Sequence, residues 1–538
     1  MPNKADLPSA ERVTGIESPE PPIPTTSLTQ AIPGAAGAVL NDVPGLLVSH
    51  RSSRIGKPSE KAFDDMQIMR RIIAEDETFN LSTVPPLTDL CLKHCIQNFE
   101  YKANILPHLN SRQRRKLLDE LGTDTPLKVT AHQIGEDLYW KRCCHSRWPV
   151  IDLARHGGVW KRAFFEHMLE ETIERFVPGH TYLPRLTECV AYAAPYVHRL
   201  DIRQLLPPLK QQSTDGYSEN NSDEESNSEF GSDLQTADHL DLGPMLVKLP
   251  NLEELSVSYT VKDCGMNFEW SIFQFTVHDC VNLAKAIQQH KNIRALHLTK
   301  SRVDSDRCRV LVNHILQHPT LECLDLSHNF IGDRGARALG KLISGNNQLR
   351  TLNLADNRLQ ATGALALAHA LAKKSCTLVR LNLRLNRLRD DGGIAIAKSL
   401  LRNTSLKELN LAANDLGETA SNYLAHVIAH NRTLTHLDLS NNQVGVTASR
   451  RLSDGMMHND TLLYFDLRFT GCNQEAEYAI SQQVERNQDR VRRMLVAPSL
   501  GRNDGQPEIT DDISLPEGVT SVANQHNLGI PSAQSTTV

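Results

Sequence analysis

Between Ile293 and Asp489 the apolar positions follow one pattern over and over. A short stretch alternates apolar and polar, as in LECLDL, and then gives way to apolar residues three and four apart, as in GARALGKLI. Strict alternation predicts a strand with its leucines inward. The three-and-four spacing predicts an amphipathic helix. Copies start at Ile293, Leu321, Leu349, Leu378, Leu406 and Leu434, with a looser one at Leu462, each 28 or 29 residues after the last. They read LECLDLSHNFIGDRGARAL, LRTLNLADNRLQATGALAL, LVRLNLRLNRLRDDGGIAI, LKELNLAANDLGETASNYL and LTHLDLSNNQVGVTASRRL. LEELSV from Leu252 adds a strand ahead of them, making eight.

A fixed period with an L-x-x-L-x-L-x-x-N core predicts a leucine-rich repeat solenoid, an α/β fold of one strand and one helix per repeat. Parallel strands stack about 4.8 Å apart, whereas helices cannot approach closer than about 8 Å. The mismatch curves the array, with strands on the concave side and helices on the convex side. Asn329, Asn357, Asn386, Asn414 and Asn442 share one position at the strand ends, where a side-chain amide can satisfy backbone groups that no ladder reaches. Six residues later come Gly335, Gly363, Gly392, Ala420 and Ala448, small enough for the helix start to lie close to the sheet. Thr362, Asp391, Thr419 and Thr447 precede them and suit helix N-caps. The ends deviate as capping repeats do. Ser301 and Thr470 replace the Asn, and Phe465 replaces a core leucine.

The concave surface follows from the same alternation. One outward column reads His297, Asp325, Asn353, Asn382, Asn410, Asp438 and Asp466, uniform enough to be a habit of the repeat. The next reads Thr299, Ser327, Ala355, Arg384, Ala412, Ser440 and Arg468. Arg384 and Arg468 stand out there, because arginine is enriched at the energetic centres of interfaces. The first column together with Arg384 and Arg468 forms the candidate partner-binding set. Either arginine could instead pair with a neighbouring Asp.

The remainder divides by composition. Residues 1–60, rich in Pro, Ser, Thr and Gly, and 498–538 read as disordered tails. Residues 61–208 read as a helical domain, with LTDLCLKHCIQNF, RRKLLDEL and WKRAFFEHMLEETIERFV at helical spacing. Residues 209–239 hold an acidic run without a basic residue, Ser213 to Asp233, expected to be a solvated linker between two independent units. The solenoid is expected over 240–497. An insertion around CGMNFEWSIFQF, ahead of Ile293, carries a cluster of aromatics that would cover the open N-terminal end of the core or, alternatively, form a partner-binding loop.

Charge and chemistry exclude more than they suggest. With 58 basic and 63 acidic residues and a net charge of −5, no large positive stripe offers itself to nucleic acid. No signal peptide and no apolar membrane span are read. Eleven cysteines without a secretory signal fit a reducing compartment. Cys91, His94, Cys95, Cys143, Cys144 and His145 cluster, but not as the separated pairs of a zinc finger. No P-loop, G-x-S-x-G or kinase motif is present, and HGGV at His156 reads as a turn. No enzyme, cofactor, metal or small-molecule substrate is expected.

The repeats are similar to the ribonuclease-inhibitor-like class. With MRRIIAEDETFNLSTVPPLTDLCLKH, YWKRCCHSRWPV, HGGVWKRAFFEHMLE and VKDCGMNFEW ahead of them, the chain resembles, over about Met69 to Leu495, the dynein regulatory complex subunit 5 family. These are leucine-rich repeat subunits of the nexin–dynein regulatory complex. The resemblance implies a non-enzymatic scaffold of the ciliary or flagellar axoneme that regulates motility through contacts with other subunits of that complex, with doublet microtubules engaged indirectly. Leucine-rich repeats behind a helical module also resemble ubiquitin-ligase substrate adaptors, although no F-box is evident. GTPase-activating proteins of the Ran type use the same repeat class, but carry their acidic stretch after the repeats.

Overall fold

In a computed structural model the structure describes residues 86–208, 238–262, 264, 275–346 and 348–496. The tails, the whole acidic run and residues 265–274 of the aromatic insertion lie outside them. The described residues all fall in one compact unit.

The chain opens with helices α1 (Leu87–Gln97), α2 (Phe99–Lys102), α3 (Ser111–Glu120), α4 (Leu127–Gln133), α5 (Asp137–Arg147), α6 (Trp160–Glu174) and α7 (Leu183–Ala193). Strand β1 (Arg199–Ile202), the short helix α8 (Gly243–Leu246) and β2 (Glu254–Val257) follow. Then helix and strand alternate: α9 (Val277–Gln289), β3 (Ala295–Leu298), α10 (Ser305–Ile315), β4 (Cys323–Asp325), α11 (Asp333–Gly345), β5 (Thr351–Asn353) and α12 (Ala361–Leu371). The array continues through β6 (Arg380–Asn382), α13 (Arg389–Leu400), β7 (Glu408–Asn410), α14 (Glu418–His430), β8 (His436–Asp438), α15 (Gly445–Met457), β9 (Tyr464–Asp466) and α16 (Gln474–Val496). Among the described residues the sheet has nine parallel strands in sequential order. Its inward leucines, Leu255, Leu296, Leu324, Leu352, Leu381, Leu409 and Leu437, are almost wholly buried. Leu383 and Leu411, from the turns just beyond, are fully buried.

The sheet begins earlier than expected. Arg199–Ile202 lies inside the segment read as helical, yet it pairs in register with Glu254–Val257. The four-residue RLDI is too short to show alternation, and its partner is brought to it only by the fold. The helical part therefore ends on the sheet it covers. Helix α6 shows how. Glu166, Glu170 and Glu174 lie four residues apart, on one face of the helix. Glu166 accepts from the backbone N–H groups of His198 (2.8 Å) and Arg199 (2.9 Å), Glu170 from Asp201 (2.7 Å) and Glu174 from Arg203 (2.7 Å). An open sheet edge presents such unpaired groups, and three carboxylates satisfy them here. Glu166 is fully buried, paired with His156 and with Arg162 at 2.9 Å. Burial opposes its ionisation, but His156, the two N–H groups and Arg162 outweigh it and hold the carboxyl below the usual range. At the other end, α16 covers β9, with Gln488 donating to Leu463 O (2.7 Å) and Asn487 to Leu462 O (3.0 Å).

The strand-end asparagines do what their position suggests. Asn329 donates to Leu298 O, Leu326 O and Ser327 O and accepts from the N–H groups of Ser301 and Val303, all within 3.1 Å. Ser301, its stand-in at the N-terminal end, donates to Thr299 O and accepts from Tyr259 N–H. A second polar column appears at the helix C-termini, His290, His318, Asn346, Asn403, Asn431 and Asn459, and continues in register to Asn487 inside α16, each buried. Asn431 donates to Leu400 O (2.9 Å), and Asn459 to Ile428 O (2.7 Å). His318 donates from Nε2 to His290 O (3.0 Å) and Ile287 O (3.2 Å). Burial holds its imidazole below the ordinary histidine range.

Two local expectations are corrected. Thr362, Asp391, Thr419 and Thr447 do not occupy N-cap positions; those fall at Gln360, Leu388, Gly417 and Val444. The capping acid instead comes from the preceding repeat. Asp333 accepts from Gln360 N–H (2.8 Å) and from the Thr362 hydroxyl, and Asp390 from Gly417 N–H (2.6 Å) and the Thr419 hydroxyl. Nor do the small residues mainly face the sheet. A Cβ on Gly363 would meet Asp333 Oδ1 at 2.5 Å and Ala336 at 3.2 Å, and one on Gly392 would meet Ala364 at 3.1 Å. What demands smallness is the preceding helix together with the residue four positions earlier in the same repeat, Ile331 for Gly335 (2.6 Å) and Leu388 for Gly392 (2.9 Å).

Candidate functional site

Three columns of side chains form the concave face, one more than the sequence reading used. The extra column, one residue before each buried leucine, runs Arg199, Glu254, Ala295, Cys323, Thr351, Arg380, Glu408, His436, Tyr464. It was legible in the alternation, because residues two apart on a strand share a face. Beside it runs the expected column, His297, Asp325, Asn353, Asn382, Asn410, Asp438 and Asp466, paired across consecutive strands.

That column is half structural. Asp325, Asn353, Asn382, Asn410, Asp438 and Asp466 each accept, through Oδ1, the N–H two residues on, at 2.9–3.1 Å. A short acceptor closing a turn on its own backbone explains the uniformity. The second carboxylate or amide atom is left to face the floor. Asn410 spends it on Asp438 (2.8 Å). His297 sits 3.5 Å from both Glu254 and Asp325. Burial works against the Asp325 carboxylate, but bonds from His297, Ser327 and Asn353 keep it below the usual range.

The two arginines separate. Arg468 grips Asp466 with Nε at 3.0 Å and Nη2 at 2.6 Å. Burial opposes the Asp466 charge, yet Arg468 lowers its pKa, and Asp466 in turn raises that of the arginine. Arg384 is exposed, and its guanidinium has no ion pair or hydrogen bond among the described residues. Toward the C-terminal half the floor deepens into a hollow of about 430 Å³, lined by Arg380, Glu408, His436, Tyr464, Asn382 and Asp438 among others. Arg380 pairs with Glu408 at 2.9 Å, and the His436 ring stacks on Tyr464 at 5.9 Å.

Little here is reactive. Burial pushes the Cys323 thiol, on the concave face, up to about 11, so it stays protonated and poorly nucleophilic near neutrality. Cys144 is likewise pushed up to about 12, and its neighbour Cys143 is buried beside it. His94 accepts from Lys102 at 2.8 Å, and the His145 ring lies against Trp160. Among the described residues no group of three or more His, Cys, Asp or Glu could hold a metal ion, and no helix is long and apolar enough to cross a membrane. What the floor offers is a wide, polar, half-buried surface with one aromatic pair and one unengaged arginine.

The family model described as Leucine Rich repeat matches residues 317–340, 345–368, 374–397, 402–419 and 430–447. The chain carries leucine-rich repeats over these segments. It is similar to dynein regulatory complex subunit 5 of Homo sapiens, at 44% identity over 246 residues, 45% of this chain and 48% of that protein. The protein of that name from Chlamydomonas reinhardtii is 32% identical over 227 residues, 42% of this chain and 50% of its own length. The chain thus spans about half the length of the curated relatives it matches. Among solved structures, the leiomodin-1 actin-binding site 2 is similar at 22% identity and a TM-score of 0.24, covering 25% of this chain and 78% of that one. At that score it carries no argument.

Proposed function

We propose that this chain is a non-enzymatic scaffold subunit of the nexin–dynein regulatory complex in motile cilia and flagella. In this reading it regulates motility by holding other subunits of that complex against its concave face. The observation that carries the reading is the 44% identity to a protein named dynein regulatory complex subunit 5, which extends at 32% to an algal relative of the same name. The concave floor supports it. A rigid repeat array presents a long surface that loses little entropy on binding. Tyr464 and Arg384 are residue types that anchor such interfaces; Tyr464 projects from β9 beside His436 of β8, and Arg384 from the turn after β6. The contact would be with protein, in the cytoskeleton of the axoneme, with microtubules reached through other subunits.

A pull-down of the full-length chain from ciliated cells tests this. Axonemal regulatory-complex subunits are the expected co-purifying proteins. Recovery of a cullin with its linker, or of a small GTPase, in their place would replace the reading with the adaptor or GTPase-activating alternative.

A further inference from the structure

We propose a second binding surface: the rim formed by the strand-to-helix loops of the repeats beginning at Ile293, Leu321, Leu349 and Leu378 takes an acidic, extended polypeptide. It is distinct from the concave floor and does not depend on the ciliary reading. Arg302, Phe330, Arg358 and Arg387 occupy one repeat position, 28 or 29 residues apart, so they form a row along the rim. Phe330 braces it, with the guanidinium carbons of Arg302 and Arg358 lying 5.5 and 4.1 Å from its ring centre. Lys300, Arg334 and Arg389 flank the row, and like Arg358 and Arg387 they are exposed.

Four carboxylates of the same rim are already engaged within the chain. Asp304 caps α10 and pairs with Arg307. Asp333 and Asp390 cap the following helices. Asp356 pairs with His328 at 2.8 Å. Lys300, Arg334, Arg358, Arg387 and Arg389 have no ion pair among the described residues. Exposed Asp391, Asp415 and Glu418 close the row on its C-terminal side. Strands about 4.8 Å apart put Arg302 and Arg387 roughly 15 Å from each other, the reach of about five extended residues. A guanidinium fork matches a carboxylate in a bidentate way. Nucleic acid fits less well: the positive row is short, carboxylates bound it, and the Phe330 face that could stack on a base is covered by Arg358.

Fluorescence anisotropy of the full-length chain with a labelled short peptide of alternating Glu and Ser tests the proposal. The peptide should bind at low salt and weaken as salt rises. Arg358→Glu combined with Arg387→Glu and Arg389→Glu should lower the affinity at least ~tenfold, about 1.4 kcal/mol, with thermal unfolding unchanged. Reversing Arg112 and Arg115 on α3 (Arg112→Glu with Arg115→Glu) should leave the affinity as it was. Absence of binding at low salt, equal binding by the triple variant, or tighter binding of a single-stranded oligonucleotide that displaces the peptide would each overturn it. Deleting residues 213–233 should not change the affinity; a large rise would assign the rim to the chain's own acidic run and overturn a partner in trans.

Discussion

Each repeat turns on a few residues whose partners are backbone groups of another repeat. Asn357 donates to Leu326 O, Leu354 O and Ala355 O and accepts from Ile331 N–H. Removing a buried group that serves several backbone atoms leaves each unsatisfied at roughly 1–3 kcal/mol. Asn357→Ala should therefore destabilise the chain by about 3 kcal/mol or more in urea unfolding. One residue before each asparagine the backbone turns left-handed: Lys300, His328, Asp356, Leu385, Ala413, Asn441 and Phe469 all have φ between 51° and 59°. The cost of that conformation for an L-residue, about 1 kcal/mol, is carried at every repeat without a glycine. Ala413→Gly should raise stability by about 0.5–1 kcal/mol, read from the same urea midpoints. The asparagine column was legible in the sequence because one residue type recurs at one position. The left-handed column was not, since its residues share no chemistry. The second polar column escaped notice because it changes from His to Asn partway and has Ser at 375.

At the scale of elements, the helices pack closely where glycine allows it. A Cβ on Gly455 of α15 would lie 2.5 Å from the Ala425 carbonyl oxygen of α14. Backbone cannot yield as a side chain can, so Gly455→Ala should cost about 1–3 kcal/mol in thermal unfolding, despite alanine's better helix propensity. Helix α6 makes a different demand through Glu166. A carboxyl held below its usual pKa of 4.5 stabilises the fold above that pH, and the gain is lost as pH falls through the folded value. His318, held below 6.5, acts on the same side: the unfolded chain takes up its proton first, so stability begins to fall as pH drops through 6.5. The wild-type melting temperature should thus decline from pH 7 toward pH 4. Glu166→Gln should melt lower at pH 7, keep that gap down to about pH 4.5, and approach the wild type as pH falls further. A gap that stays constant as pH falls well below 4.5 would show that Glu166 is not the group responsible. Helix existence was legible from spacing alone. The carboxylate row on α6 was not, because its meaning depends on a strand more than thirty residues away, as Arg199 and Glu166 illustrate.

The described residues form a sheet whose two edges are both covered by helices of the same chain. The sequence shows a change of composition near 209, which reads as a border between independent units; the pairing of β1 with β2 crosses it. A fragment starting at residue 238 would expose the edge of β2, and should self-associate or precipitate in size-exclusion chromatography where a fragment starting at 86 stays monomeric. The concave columns were legible from alternation. The fate of their arginines was not: only coordinates distinguish Arg468, held by Asp466, from Arg384, which faces the floor unpaired. That distinction chooses the decisive measurement. Arg384→Glu with His436→Ala and Tyr464→Ala should leave the fold intact, since all three side chains point away from the core. In cells lacking the wild-type chain, this variant should wash out of detergent-extracted axonemes that retain the wild type. The convex-face control, Lys341→Glu with Lys398→Glu, should stay bound. Equal retention of the concave variant and the wild type would contradict the account of this solenoid as a scaffold held through its concave face.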